Sequence, residues 1–521
     1  MLLKKIKLYI SNDYLKIILL TLFLGIFIFP LANSINFYQN DDWIYYKAIS
    51  QFLTGNYVIP GYIQALFYTQ GVMGTVFANY FGLEKLPVLT FILSIFTLFI
   101  FLIITRKYYL NNFKDTALVG LFMLVCPLYM YASLGFMSDM YFLFFLVFGF
   151  LFVELFLRTS KWYHFLGFNL LHIIAFFARQ LSIVTGFALF LILLLQKKYK
   201  WALAQLAANI GILYVYQEIL PKTKNAVAHS ELLFNNLLNF DYTFSTTYVG
   251  LIYATAFIAP ITILLVKRVL SNNLKINLIY LSSCIGLFFL FNFLFNPQIP
   301  ANPNMYFLKN TVDVRGFFYG SSMGYKYALM YETEIYQFFE FISKITLAIF
   351  FTSVIFLIRK SLNFYSVFAI MYLGFMAVLD GGLYDRYYLP LIPVTILFIL
   401  SLESKFNLTI RIISYISLVV ITLYSYNFSM DFVILNNHLW EVGKETADMK
   451  GFSRNRISAG NAWNRTYYSE KFYKYKFFFE TRDNREELKC CFKLYEQYDI
   501  SYPFNIFVKP KIYLYMRDVA N

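Results

Sequence analysis

Apolar stretches close to the roughly 20 residues that a helix needs to cross a bilayer recur from Leu15 to about Asn427, each bounded by Lys, Arg, Asn or Pro. The run from Leu15 to Ala32 follows Lys4, Lys5 and Lys7, as the apolar part of a signal peptide would. It has no small-residue cleavage site and is long enough to span, so it reads as a retained first helix. In the next polar stretch, NDDWIYYKAISQFLTGNY, Tyr45, Ala48, Ile49 and Phe52 recur at helical spacing, which predicts a helix lying at the membrane interface. After about Phe428 the pattern changes to charges of both signs, few long apolar runs and strand-like pieces such as Lys511-Ile512-Tyr513-Leu514-Tyr515. The pattern predicts an all-α polytopic membrane protein over residues 1–428, followed by a small α/β extracytoplasmic domain over 429–521.

Charge orients these elements, because short loops rich in Lys and Arg stay cytoplasmic. With Lys4, Lys5 and Lys7 inside, alternate crossings return the basic clusters at Arg106-Lys107, Arg158/Lys161, Lys197-Lys198/Lys200, Lys267-Arg268/Lys275, Arg359-Lys360 and Lys405/Arg411 to the same side. This arrangement needs about thirteen spans, the shortest near 115–133 and 181–195. It leaves loops 34–84, 221–246 and 296–335 and the tail outside, in a multi-pass protein of the cell membrane.

Composition agrees with that class: 59% of the 521 residues are hydrophobic and 14% charged, against about 25% charged in soluble chains. An ordinary cytosolic enzyme is excluded. The net charge of +15 does not indicate a nucleic-acid partner, because the basic residues are scattered as short pairs beside apolar runs and form no stripe. Cys126 and Cys284 fall in apolar runs, and the adjacent Cys490 and Cys491 read as free thiols. There is no Gly-rich nucleotide-binding motif.

Ionisable groups at the edges of membrane spans cost free energy, so they mark functional sites or paired structural groups. Four clusters fall on the outer face: Asp41-Asp42, Asp139, Arg179-Gln180 and Asp385-Arg386-Tyr387. Paired carboxylates suit an inverting group transfer, in which one acid takes the acceptor's proton and its neighbour orients a ligand or a metal ion. Capping a helix start would use the same acids, and spacing alone does not choose. A guanidinium presents a fork of donors matched to phosphate oxygens, which makes Arg179 and Arg386 phosphate candidates. Competing readings are an outer turn reaching headgroups for Arg179 and a local Asp385–Arg386 ion pair. Gly381, Gly382, Pro390 and Pro393 frame the last cluster with backbone that turns and breaks helix bonding. His172 reads as a core histidine, His229 beside Glu231 is the histidine best placed as a metal ligand, and Glu332 and Glu334 read as solvated.

Taken in order, an outer Asp-Asp-Trp-x-Tyr helix, an Asp at the mouth of a later span, an Ala-Arg-Gln turn and Asp-Arg-Tyr-x-x-Pro-x-x-Pro resemble the glycosyltransferase C superfamily. More narrowly, the chain resembles the membrane enzymes related to glycosyltransferase family 39, the protein O-mannosyltransferases, and the aminoarabinose transferases acting on lipid A. The resemblance covers about residues 1–430, with an echo at Ile457-Ser458-Ala459-Gly460-Asn461-Ala462-Trp463-Asn464. It implies transfer of a hexosyl or pentosyl group from a polyprenyl-phosphate sugar to an extracytoplasmic acceptor, with inversion. In that family the first-loop acid, matched by Asp41, acts as the base or binds a divalent metal ion. Asp42 matches its acidic partner, where Glu is common, and Asp139 matches the second acidic motif. Arg179, Gln180, Asp385, Arg386 and Tyr387 match the donor-phosphate side. The alternatives are a polysaccharide polymerase or ligase, and a transporter or flippase of lipid-linked sugars. A transporter would show internal repeats and midplane charges, whereas here the polar clusters collect on one face.

Overall fold

The computed structural model describes residues 12–39, 41–60, 63, 66–219, 238–270, 272–294, 311–313, 316–317, 334–379, 384–467, 477–481, 492–504 and 511–517. The chain is mostly helical. In order it forms α1 (Asn12–Asn33), α2 (Asp42–Leu53), α3 (Tyr68–Phe81), α4 (Leu86–Tyr108), α5 (Phe113–Leu124), α6 (Pro127–Ser133), α7 (Ser138–Thr159), α8 (Trp162–Phe176), α9 (Ile183–Leu195) and α10 (Tyr199–Tyr214). There follow α11 (Phe240–Ala256), α12 (Ala259–Val269), α13 (Leu274–Leu294), α14 (Glu334–Phe356), α15 (Phe364–Val378), α16 (Leu391–Leu402) and α17 (Leu408–Lys450).

Local sequence explains many of the boundaries. Pro87 opens α4, where a missing N–H costs nothing, and Arg106 and Lys107 close it against the negative end of the helix dipole. Asn363 and Ser366 form a reciprocal capping box at the start of α15. Pro127 begins α6 after a 69° bend from α5, and Pro260 stands near the 90° bend between α11 and α12.

Among the described residues, seven helices are long and apolar enough to cross a membrane, or nine if each bent pair is one span. This is fewer than expected from the basic clusters, because the apolar helices Trp162–Phe176, Gln180–Leu195 and Phe364–Val378 are each 17 residues or shorter. Lipid-compatible apolar surface is plentiful on α1 and α13, whose Phe27 and Phe293 are 74% and 84% exposed. The core lies between α4, α7, α8, α11, α15 and α16.

The composition change near residue 429 does not coincide with a helix break. Helix α17 runs unbroken for 43 residues, from the Asn407 cap to the left-handed Gly451. At 1.5 Å per residue it is about 65 Å long, roughly twice the hydrocarbon thickness, so it carries the tail as a continuous strut. The tail holds α18 (Asn461–Thr466), which packs against α2, and strands β3 (Ile457–Ser458), β4 (Phe477–Thr481), β5 (Phe492–Asp499) and β6 (Lys511–Arg517), in sheet order β3-β4-β6-β5. A two-stranded hairpin, β1 (Val312–Asp313) with β2 (Gly316–Phe317), packs on α17.

Polar bonds tie α17 to the segment leading into α2. Asn36 donates from its backbone to Asn437 Oδ1 (2.9 Å) and from its side chain to Glu441 Oε1 (2.8 Å), and Asn437 donates to Ser34 O (2.8 Å). Tyr38, Trp440, Trp463 and Tyr467 close the same junction, with ring centroids 4.5–6.3 Å apart in successive contacts. The echo segment 457–464 therefore lies at the junction of α17 and α2.

Candidate active site

Four short pieces of backbone meet here: the start of α2, the start of α7, the turn after α8 and the single helical turn Asp385–Tyr388. Asp41 occupies the N-cap position of α2 but makes no capping bond with its side chain, since its backbone (φ −87°, ψ 3°) lacks the extended cap conformation. Its carboxylate, 27% exposed, lies 4.0 Å from Arg386 Nη2. Asp42 is fully buried. Its Oδ2 accepts from Phe136 N–H (2.7 Å) and Gln39 N–H (3.3 Å), joining α2 to the approach of α7. Burial pushes the Asp42 carboxyl well above the usual carboxylate range, against the pull of those two N–H groups.

The join requires glycine at 135, where φ is +88° and a Cβ would lie 1.8 Å from Gln39 Oε1 and 2.8 Å from Asp42 Oδ2. On the other side, Gln70 Nε2 donates to Phe136 O at 2.5 Å. Held from both sides, residues 134–137 deliver Ser138 and Asp139 to the first turn of α7, where the helix dipole favours a negative charge.

The turn carrying Arg179 is fixed by Arg179 N–H to Ala175 O (2.9 Å), Ser182 N–H to Arg179 O (3.0 Å) and Thr69 Oγ1 to Ile174 O (2.7 Å). Arg179 Nη2 pairs with Asp139 Oδ1 at 2.9 Å, and its Nε donates to Ser138 Oγ at 3.1 Å. Gln180 reaches away from the acids and donates to Tyr216 Oη at 2.7 Å.

Asp385 and Arg386 serve different neighbours. Asp385 accepts from Thr311 N–H (3.1 Å), Val312 N–H (2.9 Å), Tyr253 Oη (3.0 Å) and the N–H of Arg386 (2.7 Å), so it anchors the β1–β2 hairpin. Arg386 faces the other way. Its side chain is 3% exposed, with Nε 3.8 Å from Asp139 Oδ2, and its Nε and Nη1 have no hydrogen-bond acceptor among the described residues. The Tyr387 ring lies 4.7 Å from the Arg179 guanidinium and 5.7 Å from that of Arg386, and Tyr384 lies 4.6 Å from the latter. Such ring faces stabilise cations removed from water.

The fold therefore gathers Asp139, Arg179, Arg386 and Tyr387 around one narrow, tightly closed cleft, completed by Phe142, Tyr372, Leu389 and Pro390, with Asp41 beside it at 4.0 Å from Arg386. Asp42 and Asp385 stand behind it as supports, and Gln180 points out of it toward Tyr216. Sequence reasoning did not single out Phe142, Tyr372 or Leu389, because an aromatic or aliphatic residue inside an apolar run carries no distinguishing signal. Tyr45 was read only as part of an apolar face; its phenol lies in the field of Asp41, Arg179 and Arg386, and burial pushes its pKa up.

Among the described residues, no three His, Cys, Asp or Glu side chains gather as metal ligands. Asp42 Oδ2 is taken up by the N–H groups of Phe136 and Gln39, and Asp139 Oδ1 by Arg179. His172 is a core residue, stacked on Phe168 and bonded to Ser182 Oγ at 3.1 Å. His229, Glu231, Glu332, Gly381, Gly382, Cys490 and Cys491 lie outside the described residues, as do most of loops 221–246 and 296–335. Comparison of the chain with protein-family models, with curated proteins and with solved structures finds no match.

Proposed function

We propose that this chain is a membrane glycosyltransferase that moves a sugar from a polyprenyl-phosphate donor to an extracytoplasmic hydroxyl acceptor, with inversion at the anomeric carbon. The observation that carries the reading is the Arg386 guanidinium, buried with two nitrogens that lack an acceptor among the described residues, beside Arg179 and 4.0 Å from the partly exposed Asp41. Buried donors without acceptors are rare and point to a ligand that supplies them. Phosphate oxygens fit a pair of guanidinium forks.

In this reading Asp41 accepts the proton of the acceptor hydroxyl as its oxygen forms a bond to the anomeric carbon. The bond from that carbon to the phosphate oxygen breaks on the opposite face, and the phosphate leaves with both electrons. Arg386 and Arg179 meet the charge that develops on it, in a cleft where water is scarce and electrostatic stabilisation is strong. Tyr387 keeps both guanidiniums desolvated and oriented. Asp42 and Gly135 fix where Asp41 stands, and Asp385 fixes the turn that presents Arg386.

The apolar helices allow the donor to arrive laterally through lipid. If the three shorter apolar helices and α10 cross alongside the nine longer candidates, the basic clusters fall on one face, and the cleft and tail on the other. Acceptor choice then belongs to the outer loops and the tail.

The test is transfer from a panel of radiolabelled polyprenyl-phosphate sugars to membrane extracts, comparing wild type with Asp41→Asn. Loss of the base is expected to slow transfer by about 10²–10⁴-fold. Equal turnover by a well-folded Asp41→Asn protein would overturn the assignment.

A further inference from the structure

Asp139 is the acid that both arginines share. Its Oδ1 lies 2.9 Å from Arg179 Nη2 and its Oδ2 3.8 Å from Arg386 Nε, at 3% side-chain exposure. The two contacts are unequal. The first is a close ion pair, whereas in the second, among the described residues, Asp139 Oδ2 makes no hydrogen bond and Arg386 Nε and Nη1 find no acceptor. At 3.8 Å the groups attract without bonding. A phosphate entering the cleft that Asp139 lines brings several acceptor oxygens and satisfies both forks. It also brings a second negative charge close to a buried carboxylate that has no water to screen it.

We propose that Asp139 is a resident counter-ion: it neutralises the anion subsite between Arg179 and Arg386 while the protein is unloaded, and it competes with the donor's phosphate for both arginines. The proposal rests on the glycosyltransferase reading of the same site. An unloaded pair of buried guanidiniums requires a compensating anion, because a buried charge without a partner is strongly destabilising. The same charge then opposes the incoming phosphate. Neutralising Asp139 therefore weakens the empty protein and tightens phosphate binding. An acid that only supports the fold, at a distance from the phosphate, would give no change in binding.

The experiment measures binding of a short-chain polyprenyl phosphate to the full chain in detergent, with the prenyl alcohol of the same length as the phosphate-free arm. Wild type is compared with Asp139→Asn, Asp139→Ser as a second neutral variant, Ser138→Ala and Arg386→Ala. The neutral Asp139 variants are expected to bind the phosphate about ten-fold or more tightly than wild type, to bind the alcohol unchanged, and to unfold at a lower temperature without ligand. Ser138→Ala, which frees Arg179 Nε without changing charge, is expected not to tighten binding. If wild type binds, Arg386→Ala does not, and the folded neutral Asp139 variants bind equally or more weakly, the counter-ion proposal is overturned while the glycosyltransferase reading stands. If wild type shows no phosphate-dependent binding, both are overturned.

Discussion

Substituting Gly135→Ala tests the architecture that holds the acids. The new Cβ would lie 1.8 Å from Gln39 Oε1 and 2.8 Å from Asp42 Oδ2, at a residue with φ +88°. Adopting a left-handed conformation with a side chain costs about 1–2 kcal/mol. The clash adds to this, since Gln39 is buried and its amide, which donates to Tyr131 O, has to leave. Displacing Asp42 also breaks its bond from Phe136 N–H and leaves buried groups unsatisfied, at about 1–3 kcal/mol. Together these give a loss of about 3–5 kcal/mol, a large part of a typical folding free energy. Thermal unfolding of the detergent-purified chain measures it, with Gly211→Ala and Gly374→Ala as controls. At both control positions a Cβ meets nothing within 4 Å, and neither has positive φ, so alanine is expected to be neutral or to add up to about 1 kcal/mol. The Gly135 variant should also lose transfer activity, because Asp41 adjoins the displaced Asp42. Unfolding of Gly135→Ala at the temperature of the two controls would refute the argument.

Two further outcomes follow from the same geometry. The unfolded chain releases the Asp42 proton near pH 3.8 while the folded chain retains it to a higher pH; the folded state then binds more protons, and stability falls as pH rises between the two values. Asp42→Asn removes that loss, so its thermal midpoint should match wild type near about pH 4 and move ahead as pH rises toward about 8; a difference independent of pH refutes this. Asp385→Asn keeps one acceptor oxygen and turns its NH₂ toward either the N–H of Thr311, now on Oδ1, or that of Val312, now on Oδ2, costing about 1–3 kcal/mol. Backbone amide exchange at those two residues should accelerate, and unchanged protection would show that Asp385 does not anchor the hairpin.

The candidate acids and arginines were legible because a charge at the edge of an apolar run stands out against its surroundings. Their division of labour was not. Asp41 and Asp42 are neighbours with the same chemistry, yet the pleat of one helical turn points the first at Arg386 and buries the second on Phe136. Asp385 and Arg386 invite reading as a local ion pair, and the turn that holds them sends their side chains to different partners. Gln180 follows Arg179 directly and leaves the site for Tyr216. The tail's composition change is equally real, but helix α17 passes through it unbroken, since helix continuity depends on backbone bonding and caps and is indifferent to whether the next turn meets lipid or water.

The sequence by itself determined the multi-pass membrane class, the positions of the long apolar helices, the short helix after Asp41 and the polar clusters, because these follow from the length and period of apolar runs against a fixed bilayer thickness. Only the tertiary structure decided that Asp139 lies between two arginines, that the Tyr387 ring lies 4.7 Å from one guanidinium and 5.7 Å from the other, and that Gly135 must be glycine. Those facts depend on the distance and direction between segments far apart in the chain, and packing fixes such quantities while local pattern does not.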